Sequence, residues 1–445
     1  MRSEAAYPVG AEGVTQDPPS SRLYQQMLLF SGAWTVMGVA LYLVAPMTAP
    51  LVLGLAAIAP LAWCWATEGQ VPRRAPSPVL IALAVAGVYG LVNASWSLSR
   101  VEAYAAVGLI FLGIVVLHVT TVGLAHTPVP ALRAMGVGLL IGMGVGAAIL
   151  CVELLSGQWL RRTLATYHAG FRPNERDIYR AGGGLLLFQP YLLNRGIGAL
   201  MFTFWPAYFV LERLALTAWQ RRVLLAGLLL TPATIFLSSH ETSKMVFVGA
   251  AATYGIARLS PLLARRLWIT CWLIATLLVA PIAALAYGQN LHHASWLDFS
   301  ARHRVVLWEF SRNEIAKAPV LGAGINTPRA LHDTNVAAAP RAPGTDIPMA
   351  MPLHSHNAYL QVWHETGAVG VALLLVIGLL VLRAITAQPA ALQPHAYAMF
   401  AASALLAASS FSLWAPWFLS SLFLAPVLAG IGMALPPAPT ARASR

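Results

Sequence analysis

This sequence predicts an all-α, polytopic membrane protein with about twelve transmembrane helices and a large outer loop between helices nine and ten. Two observations predict it. The 445-residue chain is 58% hydrophobic and only 10% charged, with a mean hydropathy of +0.67, far above the roughly 45–50% apolar content of soluble domains. Its apolar residues also fall into runs of membrane-crossing length, about 20 residues each.

In chain order, residues 1–25 are polar, contain Pro8, Pro18 and Pro19, and lack the charged-then-apolar pattern of a cleaved signal, so they read as a cytoplasmic tail. Residues 26–288 hold nine expected helices, beginning near Met27, Pro50, Val79, Ala103, Leu132, Gly196, Val223, Met245 and Leu267. Residues 289–355 form the outer loop. Residues 356–434 hold three more helices, beginning near Ala368, Ala396 and Trp417, and 435–445 form a second cytoplasmic tail. Cys64, Cys151 and Cys271 all lie in apolar stretches and read as core residues, with no disulfide expected.

Charge sets the orientation. With the N-terminus inside, Arg73, Arg74, Arg213, Arg221, Arg222, Arg258, Arg265, Arg266, Arg442 and Arg445 all fall on the inner side. Two longer segments, 156–194 and 290–353, then fall outside although rich in arginine. The first holds Arg161, Arg162, Arg172, Arg176 and Arg180, with Arg195 at its exit; the second holds Arg302, Arg304, Arg312, Arg329 and Arg341. The net charge of +12 is therefore a matter of distribution and does not call for a nucleic-acid partner. Solvated loops, an outward basic cavity for an anionic ligand, and a patch touching lipid headgroups all fit this pattern; guanidinium forks suit the second.

No repeat period is visible. The glycine-rich "RAGGGLLLF" (180–188) reads as a re-entrant or amphipathic segment at the interface. "ARHRVVLWEFSRNEIAKA" reads as an amphipathic helix stopped by Pro319, and the Gly/Pro-rich stretch after it as an ordered but irregular loop.

The chemistry concentrates in "MPLHSHNAYLQVWHETGAVG" (351–370), where His354, His356, Asn357, His364 and Glu365 precede a long apolar run. On a helix entering from outside, Asn357, Leu360, Gln361 and His364 share a face, and His356 sits at the outer boundary beside the arginine-rich loops. A lone histidine there can simply bond a loop carbonyl. Next to fixed cations it can instead stay neutral and accept a proton, the equipment for moving a group off a phosphate leaving group. The three histidines match no standard metal-ligand spacing, "HETG" lacks the second histidine of a zinc protease, and neither a G-x-S-x-G elbow nor a P-loop is present. Tyr359 and Trp363 can stack on sugar, flank a lipid chain, or serve as interfacial aromatics.

The run "HSHNAYLQVWHETGAVG" resembles the H-N-x-(Y/F)-L-x-x-x-x-E-x-G-x-x-G signature of the O-antigen ligase and polymerase superfamily. "RVVLWEFSRNEIAKAPVLGAG" is similar to that family's R-x-x-x-W…P-x-x-G-x-G block. "LSSHETSKMVFVG" (237–249) is similar to its T/S-x-S-R segment, with Lys244 where an arginine is usual. The resemblance implies a metal-independent, cofactor-free GT-C membrane glycosyltransferase of the bacterial inner membrane, with its active site facing the periplasm. Its donor would be an undecaprenyl-pyrophosphate-linked glycan and its acceptor lipid A-core, with inversion at the anomeric carbon. It implies His356 as general base and Arg304, with Lys244 and Arg195, on the pyrophosphate. Glu365 would orient another side chain or pair with an arginine, Asn357 would fix the helix start, and Tyr359 would lie near substrate. A polymerase of the same superfamily differs only in acceptor. From another class, a lipid-linked-glycan or anion transporter would instead need ionisable residues along mid-span and two related halves.

Overall fold

The computed structural model describes residues 22–437 apart from 169, 171, 181–185, 336–339 and 351–352. Most of the two expected tails, the glycine core of "RAGGGLLLF" and the start of the histidine stretch thus lie outside the described residues. The described residues are 78% helical, and the chain forms a multi-pass membrane protein.

Its first half comprises α1 (Arg22–Val44), α2 (Ala49–Ala56), α3 (Ile58–Glu68), α4 (Pro78–Ala94), α5 (Arg100–Ala125), α6 (Val129–Leu155) and the short α7 (Trp159–Tyr167). The strands β1 (Ile178–Arg180) and β2 (Leu186–Phe188) follow, then α8 (Asn194–Arg213), α9 (Ala218–Leu237) and α10 (Glu241–Leu259). The chain continues through α11 (Pro261–Leu277), α12 (Val279–Gly288), α13 (Phe299–Ile315) and α14 (Thr327–Asn335), and closes with α15 (Ala358–Thr386), α16 (Gln393–Ser409) and α17 (Pro416–Ala434).

Local chemistry starts several of these helices. Ser77 and Ser260 each cap a helix that opens on proline, and Thr217 and Gln220 form a reciprocal capping box ahead of α9. In hydrocarbon every backbone donor and acceptor needs a partner inside the protein, so the helices satisfy their own. What joins them is close packing. A Cβ on Gly138 or Gly142 of α6 would lie 2.5 Å from the Gly32 carbonyl or 2.7 Å from that of Val36, so bare glycines let α1 rest directly on α6. At the centre, α8 is buried from Gly196 to Ala207, its Phe202 set edge-on against Phe418 of α17.

Every expected span coincides with helix, yet among the described residues only seven helices are long and apolar enough to cross a membrane, or eight if α11 and α12, bent by 70°, count as one. The expected twelve includes four that fall short. The α4 and α16 helices have 17 residues each, and α8 and α10 carry Arg195, Glu212, Arg213, Glu241, Lys244 and Arg258 near their ends. Two further expectations are corrected. The flanks of "RAGGGLLLF" pair as an antiparallel hairpin, with Ile178 opposite Phe188. The loop after Pro319 contains the helix α14, so it is not irregular throughout.

Alternation of the helices brings to one end of the bundle, among others, the turns after α4, α9 and α16 and the long segment from α12 to α15. Contacts between them confirm the grouping. Ser97 donates to the Ile325 carbonyl at 2.6 Å, and Ser410 meets both His240 and His356.

Candidate active site

Asp298 starts α13 by accepting from the Ala301 N–H at 2.7 Å. Arg304 and Trp308 then lie one turn apart on the same face. The Trp308 indole donates to the Ser355 carbonyl at 2.9 Å, and Ser311 meets the Ser355 hydroxyl at 3.3 Å. Two side chains of α13 therefore hold the histidine segment beside Arg304.

That segment makes a sharp turn. His356 has φ +50°, a left-handed conformation costly for a side chain other than glycine or asparagine. The His354 ring sits 4.1 Å from that of His356, and its Nδ1 accepts from the His356 N–H at 3.2 Å. Asn357 then caps α15, its Oδ1 accepting from the N–H groups of Tyr359 and Leu360 at 3.0 and 3.1 Å. Asn357 fixes the helix start and so aims His356.

His356 Nδ1 lies 2.9 Å from the Ser410 carbonyl oxygen. A carbonyl can only accept, so Nδ1 carries the hydrogen, and the neutral ring keeps a lone pair on Nε2. Burial pushes the His356 pKa down to about 4, with Arg304 and His303 adding to the fall and the Ser410 bond opposing it. His240 is held at about 4 by burial and then Arg304, against the pull of Glu241. His354 falls to about 3 through burial, His356, Arg329 and Arg304, and His303 falls through burial and Arg304. Four imidazoles thus feel the same guanidinium and stay neutral around it. Arg304 itself is half-buried and has no carboxylate within ion-pair distance among the described residues. It is a desolvated cation with no ion-pair contact among the described residues, and Asp298 offsets its charge only from a distance.

The other expected site residues lie elsewhere. Lys244, one turn into α10 from His240, bonds Glu241 at 2.7 Å, which offsets its charge. Arg195 is exposed at the start of α8, beside Arg161, whose guanidinium donates to the Leu192 carbonyl at 3.0 Å. Tyr359 is buried, its hydroxyl on the Ala404 carbonyl and its ring edge-on to Trp272. Glu365 is wholly buried and fully engaged. Its Oε2 accepts from the Asn326 N–H and the Trp414 indole, both at 2.6 Å, and its Oε1 from Gln361 at 2.8 Å. The structure brings His356 and Arg304 together; it turns Tyr359 and Glu365 inward.

Around Glu365 the backbone is knotted. Ala323 and Gly324 donate to the carbonyls of His364 and Glu365 at 2.9 Å each. Gly322 has φ +73°, and a Cβ there would lie 2.3 Å from the Glu365 backbone, so only glycine fits this crossing. Sequence reasoning missed His240, although it stands within the "LSSHETSK" turn, and missed Ser410, whose contribution is a carbonyl and leaves no mark in the side-chain pattern. Among the described residues no group of three His, Cys, Asp or Glu side chains is arranged to hold a metal.

Below the cluster, an apolar cavity of about 510 Å³ runs between α4, α5, α15, α16 and α17, from Tyr359 and Trp414 down to Gln388 and Met433.

Residues 226–375, from α9 to the middle of α15, match the family described as O-antigen ligase. Over that stretch the chain is similar to the O-antigen ligase family. The matched stretch contains Lys244, Arg304, His356 and Glu365, together with His240. Proteins named as candidate polysaccharide ligases are similar to it. One from Rickettsia felis is 25% identical over 287 residues, covering 64% of this chain and 64% of its own. One from Rickettsia prowazekii is 26% identical over 239 residues, covering 53% and 57%. The chain thus spans less than two thirds of either relative's length.

Proposed function

We propose that this protein transfers a glycan from undecaprenyl pyrophosphate to a hydroxyl of lipid A-core at the periplasmic face of the bacterial inner membrane. One observation carries this reading: among the described residues, a guanidinium with no ion-pair contact lies beside an imidazole whose Nδ1 is tied to a carbonyl and whose Nε2 has no hydrogen-bond partner. The first suits a diphosphate, the second a hydroxyl proton.

In the proposed step, the acceptor O–H gives its proton to His356 Nε2 as its oxygen attacks the anomeric carbon. The bond from that carbon to the diphosphate oxygen breaks, and the electron pair leaves on the diphosphate. Arg304 meets that growing charge with paired N–H donors. Attack opposite the leaving group inverts the anomeric centre. The diphosphate is already a good leaving group, so the step asks for one base, fixed cations and position, without a metal.

Arg195 and Lys244 would stand on the rim and meet the outer phosphate or glycan. Asn357, Tyr359 and Glu365 would hold the base from behind. The apolar cavity beneath the cluster would accept the hydrocarbon chain of the donor. Twelve crossings with 289–355 as a periplasmic catalytic loop complete the topology. The name shared by the Rickettsia relatives favours a ligase over a polymerase.

The test is transfer by purified protein from a lipid-linked glycan, with lipid A-core and a second lipid-linked repeat as competing acceptors. Product on lipid A-core is expected. Extension of the lipid-linked repeat alone would make the protein a polymerase, and no transfer to either would overturn the reading.

A further inference from the structure

We propose that His240 is a positioning residue for His356, acting through Ser410. This rests on His356 as the base proposed above. Ser410 ends α16 with φ −134° and ψ −71°, outside helical geometry. Its carbonyl accepts from His356 Nδ1 at 2.9 Å, and its hydroxyl lies 3.3 Å from His240 Nε2. On the far side, His240 Nδ1 meets the Ser243 hydroxyl at 2.7 Å. His240 is buried, and its ring packs 5.6 Å from that of Phe411, the residue after Ser410.

In the proposed arrangement the Ser410 O–H donates to His240 Nε2, and Nδ1 of that ring carries the hydrogen and donates to Ser243. Only a neutral His240 does both, and its position next to Arg304 favours neutrality. Hydroxyl and carbonyl belong to the same residue, so holding one directs the other. A released Ser410 no longer points its carbonyl at His356, whose proton is then free to move to Nε2, the atom that must stay vacant to act as base. His240 touches neither substrate in this arrangement, and a turn between α9 and α10 thereby governs a residue ahead of α15.

The experiment uses the full chain in proteoliposomes with ¹⁵N-labelled histidine, read by solid-state NMR, with His356→Gln identifying the His356 signals. Wild type should show His356 protonated at Nδ1. In His240→Ala and Ser410→Ala the Nε2–H form should take over, and His240→Gln, whose amide oxygen can accept from Ser410, should restore the wild-type spectrum. In transfer assays His240→Ala and Ser410→Ala should each lower kcat about tenfold with KM unchanged, and their double variant no further, because both changes cut one link. A His356 that keeps its Nδ1 proton in both single variants would overturn the proposal, as would additive losses. The spectra need no substrate. A tautomer shift in a chain that transfers no glycan would uphold this link while removing the reaction proposed above.

Discussion

Two polar clusters sit at the same end of this bundle, and they treat their charges in opposite ways. Around Glu365 every group is matched: both carboxylate oxygens have donors, and the Gly322–Asn326 crossing returns its backbone bonds to α15. Around Arg304 and His356 the groups are left open: among the described residues the guanidinium has no ion-pair contact, with Asp298 acting on it only from a distance, and one imidazole nitrogen has no hydrogen-bond partner. A buried carboxylate that is fully bonded specifies structure, whereas an unpaired half-buried cation is kept at a cost that a ligand can offset. The first cluster holds the scaffold, and the second is the one proposed to meet substrate.

The sharpest way to break this contrast is at Glu365. Glu365→Ala leaves the Asn326 N–H and the Trp414 indole buried without an acceptor, a loss of about 3–5 kcal/mol. A large drop in thermal unfolding temperature in detergent should accompany loss of all transfer. His356→Ala should lower transfer about 10²–10⁴-fold while that temperature stays put; activity that survives would remove the residue as the base. Arg304→Lys keeps the charge and loses the fork, so kcat/KM should fall about ten- to a hundredfold, read with the same lipid-linked donor. Lys244→Gln should be mildest, about threefold or less, since Glu241 already offsets that charge. A larger loss would move Lys244 into the open cluster.

Much of the scaffold was legible because membrane burial writes itself as apolar runs; each expected span coincides with helix. The count was harder. Helices such as α8 and α10 carry charge at their ends, so they blur the rule of length and composition. Within the site, Arg304 and His356 were readable as a cation and an imidazole spaced across an amphipathic helix and a helix start, and the structure brings the two together. Glu365 was not readable as a scaffold residue. Its role depends on Trp414 and on a glycine crossing far along the chain, and on a break at Gly367 (φ 61°) that shifts the helical face. Ser410 could not be seen at all, because a carbonyl belongs to every residue.

The pH dependence of transfer, compared between wild type and Arg304→Gln, bears most directly on the open cluster. A base must be unprotonated, so kcat/KM falls on the acid side through its pKa in the free enzyme. His356 is pushed down to about 4, by burial first and with Arg304 contributing. Wild-type kcat/KM should therefore hold level from pH 8 to well below the ordinary histidine value of about 6.5, and the variant's acid limb should lie at higher pH because one cation is gone. A wild-type limb between pH 6 and 7, or one that does not move in Arg304→Gln, would contradict the pairing of a neutral imidazole with a guanidinium offset only from a distance.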